Sequence, residues 1–328
     1  MVTCDWWGVT WLNEGFAVFV SYIGSEHVDP TPTLHPWDRF YVREMQRVMW
    51  TDENTKVHWP ITDETTDRAD ADRMFGTFSY QKGGSIVRMI QSILSQPTMT
   101  RALTDYLTDM SFNAAVEDDL FIHLEATAME DGKWPATNKP FDEVMKSWTH
   151  QAGLPVVHAS LSAGTLSVNQ TWLVIDGPAP ETRLWHIPLT FTSVEESPAV
   201  GWNMTEPMEW LWQEEAADYD VTGLLSDETP FLVNIQGVGY YRVNYDQENW
   251  DKLAEVLKTN RDWIHPLNRA QIICDVAKLA ETGHVTMETR DNVLSYIEME
   301  TDFGPNYAYQ QCASGGFEVE EFEGRWRI

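Results

Sequence analysis

Two short segments combine a chemically reactive side chain with an apolar helical pattern. The first is WLNEGFA (11–17), in which Glu14 lies within a stretch from Trp11 to Ile23 whose apolar residues recur at spacings of three and four. A carboxylate on such a helix is costly to bury unless it is paired, hydrogen-bonded or bound to a metal. Glu14 could equally face solvent at the helix start, where the helix dipole favours a negative charge. The residues alone leave both interpretations open.

The second segment, FSYQKGG (78–84), places Tyr80 at the start of another helical pattern, which continues to Leu94. A phenol at such a position can serve as a neutral hydrogen-bond donor to an oxyanion that develops during a reaction. An ordinary tyrosine at a packing interface explains the same pattern. Neither Glu14 nor Tyr80 identifies an activity by itself.

The elements that would position these side chains change type along the chain. Up to residue 153 the apolar spacing is helical, and we predict helices over 11–23, 40–49, 80–94, 118–127 and 141–151. Gly24 is the predicted end of the first helix. From residue 154 the period becomes two, with a turn at Ala163 and Gly164, and these short strands predict a β-sandwich. Helical spacing returns near Asn249, and Gly283 is a further predicted helix end.

Composition excludes several classes of protein. The 328 residues contain 22 Lys and Arg and 51 Asp and Glu, which gives a net charge of −29. Proteins that bind nucleic-acid backbones need a basic surface, so we expect no nucleic-acid partner. No window of about 18 consecutive apolar residues predicts a transmembrane segment. The first residues contain no basic stretch followed by an apolar run, so no targeting signal is predicted.

The cysteines and the glycosylation sequons leave the cellular compartment open. The three cysteines are far apart and have no CxxC spacing, which argues against a structural zinc ribbon or a dense disulfide framework. Their odd number leaves at least one thiol without an internal partner. Asn169 and Asn203 each begin an N-x-T triplet and are candidate glycan acceptors if the protein is secreted.

Six segments in the same order resemble the aminopeptidase N family of zinc metallopeptidases, from about residue 1 to about residue 309. The matching segments lie at 2–17, 78–90, 147–157, 184–191, 238–246 and 268–283. The resemblance implies a multidomain α+β protein. Residues 1–153 would be the helical C-terminal part of a thermolysin-like peptidase domain, 154–248 a β-sandwich, and 249–309 the start of a helical C-terminal domain. Residues 310–328 would be a divergent tail.

The resemblance also implies a role for each reactive residue. Glu14, in WLNEG, corresponds to the glutamate that ligates zinc together with two histidines of an HExxH motif. Tyr80 corresponds to the tyrosine that stabilises the tetrahedral intermediate. The family's general base is the HExxH glutamate, and a glutamate in a GAMEN motif binds the substrate's free N-terminus. Neither motif occurs in these 328 residues, and no two of the nine histidines are four residues apart.

These departures limit what the chain is expected to do alone. A single carboxylate cannot hold zinc stably, so we expect Zn²⁺ and activity toward peptide N-termini in the intact parent, and an inactive chain by itself. The resemblance places the parent at the extracellular face of the plasma membrane, or among secreted proteins. One alternative is a non-catalytic binding or interaction module derived from an aminopeptidase. Another is a glycosidase pair formed by Glu14 and a second carboxylate, for which no motif provides support.

Overall fold

Helices dominate the first half of the structure, a computed structural model that describes residues 2–28, 33–54, 56, 58–175, 177 and 179–315. The α-helices of this half are α1 (Trp11–Val28), α2 (Pro36–Arg39), α3 (Arg47–Asp52), α4 (Arg68–Met74), α5 (Gly83–Leu94), α6 (Gln96–Asp109), α7 (Glu117–Glu130) and α8 (Phe141–Thr149). A short parallel pair joins β1 (Thr3–Cys4) to β2 (Ala114–Ala115). Helix α1 packs against α5, and α6 packs against α7.

The predicted helices are present with shifted ends, and the prediction that Gly24 ends the first helix is wrong. Gly24 lies inside α1 and does not have a positive φ. A glycine costs a helix interior about 1 kcal/mol relative to alanine, which weakens the helix without ending it. Three further helices of this half, α2, α4 and α6, were not predicted. Helices α2 and α4 are only four and seven residues long, whereas α6 carries Met99, Ala102 and Tyr106 at a helical spacing that the sequence does contain.

π-helical turns interrupt this helical half at two sites. One turn, Phe40–Gln46, joins α2 to α3, so that a continuous helical segment runs from Pro36 to Asp52. The other, Phe78–Lys82, leads directly into α5 and contains Tyr80. Wide π-type turns are uncommon and occur often at functional sites.

Strands follow, as the change of period predicts. They are β3 (Pro155–Ser162), β4 (Thr165–Trp172), β5 (His186–Leu189), β6 (Phe191–Ser193), β7 (Glu209–Trp212), β8 (Ala216–Asp220), β9 (Phe231–Val233) and β10 (Arg242–Tyr245). One sheet has the order β10-β3-β4-β8, in which β10 is parallel to β3, while β5 pairs with β7 and β6 with β9. The predicted turn between β3 and β4 is confirmed, since Ala163 and Gly164 both have positive φ. The chain is therefore a mixed α+β protein, and its packing as a sandwich stays a prediction.

The last described segment is helical again. Its α-helices are α9 (Gln247–Thr259), α10 (Pro266–Glu281), α11 (Met287–Leu294) and α12 (Phe303–Ala308). Gly283 has a φ of 77° just beyond α10, which confirms it as a helix end. A disulfide joins Cys274 to Cys312, and Cys4 is a free thiol. Because Cys312 is bonded into the fold, packed structure extends past the predicted boundary at Tyr309; the acidic residues from Glu318 onward lie outside the described residues.

A buried ionic network joins the three segments of the chain. The guanidinium of Arg242 lies 2.5 Å from Glu53 Oε1 and 3.1 Å from Asp275 Oδ1, and Lys278 Nζ lies 3.3 Å from Glu53 Oε2. All four side chains are at most 2% exposed. We call Glu53, Arg242, Asp275 and Lys278 the Arg242 network. It fixes the helical half, the strand region and α10 to one another.

Candidate active site

Glu14 lies in the first turn of α1, and the neighbouring residues fix that turn in place. The backbone N–H of Glu14 donates to the carbonyl of Thr10 at 3.1 Å. Trp11 is fully buried, and its indole N–H donates to Thr62 Oγ1 at 2.9 Å. Thr62 in turn donates to the buried carboxylate of Glu117 at 2.7 Å. The helix start is therefore anchored to distant parts of the chain, while the Glu14 side chain stays half-buried.

Tyr80 lies in the middle of the π-helical turn Phe78–Lys82 and is likewise half-buried. The residues around it in this turn are deeply buried: Phe78 and Ser79 are at most 2% exposed and Lys82 is fully buried. Phe78 packs edge-on against Trp59, with ring centroids 4.8 Å apart. The turn is thus held by its buried residues, which leave the Tyr80 phenol at the surface of the packed helices.

The structure brings Glu14 and Tyr80 together although they are far apart in sequence. Partial burial raises the pKa of Tyr80, and the negative charge of Glu14 and a side-chain hydrogen bond to Glu14 raise it further. The raised pKa keeps the Tyr80 phenol protonated across the physiological pH range. An acid and a neutral donor therefore share one partly accessible position.

Glycines set the distance between these two side chains. A Cβ on Gly15 would lie 2.6 Å from the backbone carbon of Gly83, and one on Gly84 would lie 3.0 Å from Val18 Cγ1. Since real Cβ atoms do not approach other atoms as closely as 2.6 Å, α1 and the start of α5 touch backbone to backbone. Glu14 immediately precedes this contact, and Tyr80 lies three residues before Gly83. The close helix approach is what allows their side chains to meet.

The described residues do not complete a zinc site by themselves. Among them, no group of three or more His, Cys, Asp or Glu side chains lies close enough to hold a metal ion. Zinc sites in enzymes use three protein ligands, of which Glu14 could supply one. Cys4, which the sequence did not single out, lies beside this position: Asn13 Nδ2 is 3.4 Å from its sulfur. Burial raises the pKa of the Cys4 thiol, and the charge of Glu14 adds to the effect.

Both candidate glycan acceptors lie at the surface. Asn169 is exposed on β4, and Asn203 is exposed in the segment between β6 and β7. An oligosaccharide needs an accessible asparagine amide, which both positions offer. Their glycosylation stays a prediction.

Two family models and a set of curated relatives match the chain. Residues 1–148 match the peptidase family M1 domain, and residues 230–315 match the ERAP1-like C-terminal domain. Aminopeptidase Ey of Gallus gallus is 33% identical over 314 residues, which cover 93% of this chain and 31% of that protein. Aminopeptidase N of Plutella xylostella is 35% identical over 305 residues, covering 92% and 31%. The membrane alanyl aminopeptidase of Heliothis virescens is 33% identical over 312 residues, covering 93% and 30%.

These matches place the chain in a family of peptidases. The chain belongs to the aminopeptidase N family, within peptidase family M1. It spans 31% of the length of the avian relative. Within the described ranges, none of the helices combines the length and apolar character required to cross a bilayer.

Proposed function

We propose that the protein to which these residues belong is a zinc-dependent aminopeptidase that removes N-terminal residues from peptides. The observation that carries the proposal is the backbone approach of α1 to α5 at Gly15 and Gly83, which brings Glu14 close enough to Tyr80 for its charge to raise the pKa of the phenol. Glu14 would supply one carboxylate ligand of the zinc ion. The family resemblance assigns the other two ligands to an HExxH motif, which these 328 residues do not contain.

Tyr80 has a role that follows from its own chemistry. Its phenol is neutral and half-buried, and its pKa is raised, so its O–H is available as a donor at physiological pH. When a peptide carbonyl becomes tetrahedral, negative charge develops on its oxygen. A fixed donor at that oxygen stabilises the transition state by about 2.7–4 kcal/mol, or about 10²–10³ in kcat. If the phenol exchanged the Glu14 carboxylate for this oxyanion as its acceptor, it would have a hydrogen-bond acceptor at every stage.

The experiment compares two variants of the full-length protein that contains these residues, with zinc content and hydrolysis of an alanyl anilide as the measurements. We expect Glu14→Gln to abolish both zinc and activity, because an amide is a poor zinc ligand. Tyr80→Phe should keep its zinc and lower kcat by about 10²–10³-fold. The two variants thus separate a ligand from an oxyanion donor.

A matched control lies on the same helix. The phenol of Tyr22 donates to Glu44 Oε1 at 2.6 Å and is also half-buried. Tyr22 lies eight residues, or about 12 Å, beyond Glu14 on α1. Tyr22→Phe therefore removes a tyrosine–carboxylate hydrogen bond away from the site and should leave kcat unchanged. If Glu14→Gln retained its zinc and Tyr80→Phe retained its kcat, the assignments would be wrong. A full-length protein with neither zinc nor activity would favour the non-catalytic binding module.

We also propose that the parent acts at the extracellular face of the plasma membrane or is secreted. Disulfides persist in oxidising compartments, and Cys274 is bonded to Cys312. Asn169 and Asn203 are exposed sequons, and one relative is named as a membrane protein. Glycosidase treatment should change the electrophoretic mobility of the wild-type protein made in secretory cells. The change should be absent when Asn169 and Asn203 are both replaced by glutamine. An unchanged wild-type band would contradict glycosylation at these positions.

A further inference from the structure

Lys82 is a fully buried cation at the end of the turn that contains Tyr80. Its Nζ lies 2.8 Å from Asp52 Oδ2 and donates to the carbonyls of Gln151 and Gly153, each at 3.2 Å. The ring of Tyr240 lies beneath the ammonium, with its centroid 5.3 Å from Nζ. Both the lysine and the aspartate are completely inaccessible to solvent. Burying these charges is costly unless every donor is satisfied, and three oxygens and a ring face surround this ammonium.

Asp52 completes the arrangement from the opposite side. Its Oδ1 accepts from the backbone N–H of Gly153 at 2.8 Å, and its Oδ2 also accepts from the Tyr240 hydroxyl at 3.1 Å. Burial lowers the pKa of Lys82, whereas the charge of Asp52 and the hydrogen bond to it raise the pKa. Residues from the end of α3, from the entry to β3 and from the approach to β10 therefore meet at one lysine.

Lys82 connects these buried contacts to the π-helical turn that contains Tyr80. The turn is only five residues long, and Lys82 ends it two residues after Tyr80. Because the Tyr80 backbone N–H donates back to Gly76 at 3.3 Å, the phenol's position depends on how both ends of the turn are held. Gly83, next to Lys82, forms the contact with Gly15 on the Glu14 helix. Lys82 is thus the last anchored side chain before the backbone contact that sets the distance between Glu14 and Tyr80.

We propose that Lys82, held by Asp52 and Tyr240, is a positioning residue that orients the Tyr80 phenol for transition-state stabilisation. The inference rests on the proposed function, because it requires Tyr80 to act as an oxyanion donor. Lys82 itself is sealed from solvent and touches no substrate. Its contacts with the Gly153 carbonyl and the Tyr240 ring couple the position of the strand region to the position of the turn that holds the phenol.

The test is a double-mutant cycle on the full-length protein. Asp52→Asn combined with Lys82→Met removes both charges, so that neither is left buried without its partner. A displacement of about 1 Å at a reacting group can cost about 10²-fold in rate, so we expect kcat to fall about 10–100-fold. KM and zinc content should change little, because neither residue binds substrate or metal. In the Tyr80→Phe background the same pair of changes should lower kcat by less than about twofold.

A milder variant keeps the test informative if the double variant does not fold. Tyr240→Phe removes the hydroxyl that donates to Asp52 and leaves the ring under Lys82. It should lower kcat by about 2–10-fold in the wild-type background and have no effect in the Tyr80→Phe background. A structural role alone would lower the amount of folded enzyme equally in both backgrounds.

A second buried ion pair serves as the matched control. Arg269 Nε lies 2.9 Å from Glu300 Oε2, and both side chains are at most 2% exposed. Arg269→Met with Glu300→Gln should leave kcat per folded molecule within about twofold of wild type. If the fold-changes in kcat caused by the Asp52/Lys82 double change and by Tyr80→Phe multiply in the combined variant, Lys82 does not act through Tyr80 and the inference is overturned. If Tyr80→Phe alone leaves kcat unchanged, the proposed function fails instead, which distinguishes the two failures.

Discussion

The Glu14–Tyr80 site and the Arg242 network are both clusters of polar side chains, yet they are built in opposite ways. Every charge in the Arg242 network is buried and paired with at least one opposite charge. Glu14 and Tyr80 are half-buried and have each other as neighbours. The network derives its geometry from ion pairs, whereas the site derives its geometry from a backbone contact between glycines.

This difference separates polar side chains that hold the fold together from polar side chains that are available to a substrate. A side chain that is fully buried and ion-paired inside the protein has nothing left to offer a substrate. A partly accessible acid next to a neutral donor keeps that capacity, because its hydrogen bond can be exchanged for one to a ligand. Changes in the network should therefore alter stability, and changes at the glycine contact should alter the site.

The largest expected effect is on the network. Arg242→Met removes the cation that lies between Glu53 and Asp275 and leaves both carboxylates without it in the interior. Breaking a buried pair from one side costs about 3–5 kcal/mol. Urea unfolding of the chain should show a loss of that size. Arg68→Met, which disrupts an ion pair with Asp72 whose members are 93% and 71% exposed, should change stability by less than about 1 kcal/mol.

A smaller effect is expected at the glycine contact, where two glycines on one helix form a matched pair. Gly15→Ala places a methyl group 2.6 Å from the Gly83 backbone and should cost about 1–3 kcal/mol by forcing α1 and α5 apart. Gly24→Ala, which meets no atom within 4 Å, should stabilise α1 by up to about 1 kcal/mol. Thermal unfolding of both variants measures the contrast. Equal effects would mean that the helices do not touch at Gly15.

The smallest expected effect concerns His186, a buried side chain whose ring nitrogens make no hydrogen bond to the described residues and whose Nε2 lies 3.8 Å from Glu143 Oε1. Burial lowers its pKa to about 4, whereas an unfolded histidine titrates near 6.5. Its folded pKa is depressed, so the stability that it contributes is complete above about pH 6.5 and is lost as the pH falls toward about 4. Between pH 7 and pH 5 the loss should be about 1–2 kcal/mol.

The measurement for His186 is the free energy of unfolding at pH 7 and pH 5, for the wild type and for His186→Phe. The phenylalanine should remove this part of the acid sensitivity and retain the edge contact with Trp212. An identical pH dependence in both proteins would show that the pKa of His186 is not lowered in the folded state. It would also weaken the rule that buried polar groups without partners stay neutral.

Much of the secondary structure could be predicted from the sequence because burial imposes a period. The spacing around Leu94 and Phe141 predicted α5 and α8, and the alternation around Tyr241 predicted β10. Helix ends were less predictable, since Gly24 is tolerated inside α1 whereas Gly283, with its positive φ, lies just beyond the end of α10. The same residue type gives both outcomes, and only the backbone conformation distinguishes them.

The candidate site was predictable as two residues but not as a site. Glu14 and Tyr80 were singled out from their motifs, and Lys82 stood unremarked in the second of them, FSYQKGG. From the sequence alone, a lysine next to two glycines is expected to be an exposed helix residue. Its complete burial depends on Asp52 and Tyr240, which lie far away in the sequence.

The sequence by itself determined the family, the order of helices and strands, and the identity of the two reactive side chains, because residue type and local period specify these features. Only the tertiary structure decided that Glu14 lies close enough to raise the pKa of Tyr80, that Cys274 pairs with Cys312, and that Lys82 is buried. These features are distances between segments remote along the chain. They are set by how closely helix backbones approach and by which charges can be paired in the interior, and neither property belongs to a single segment.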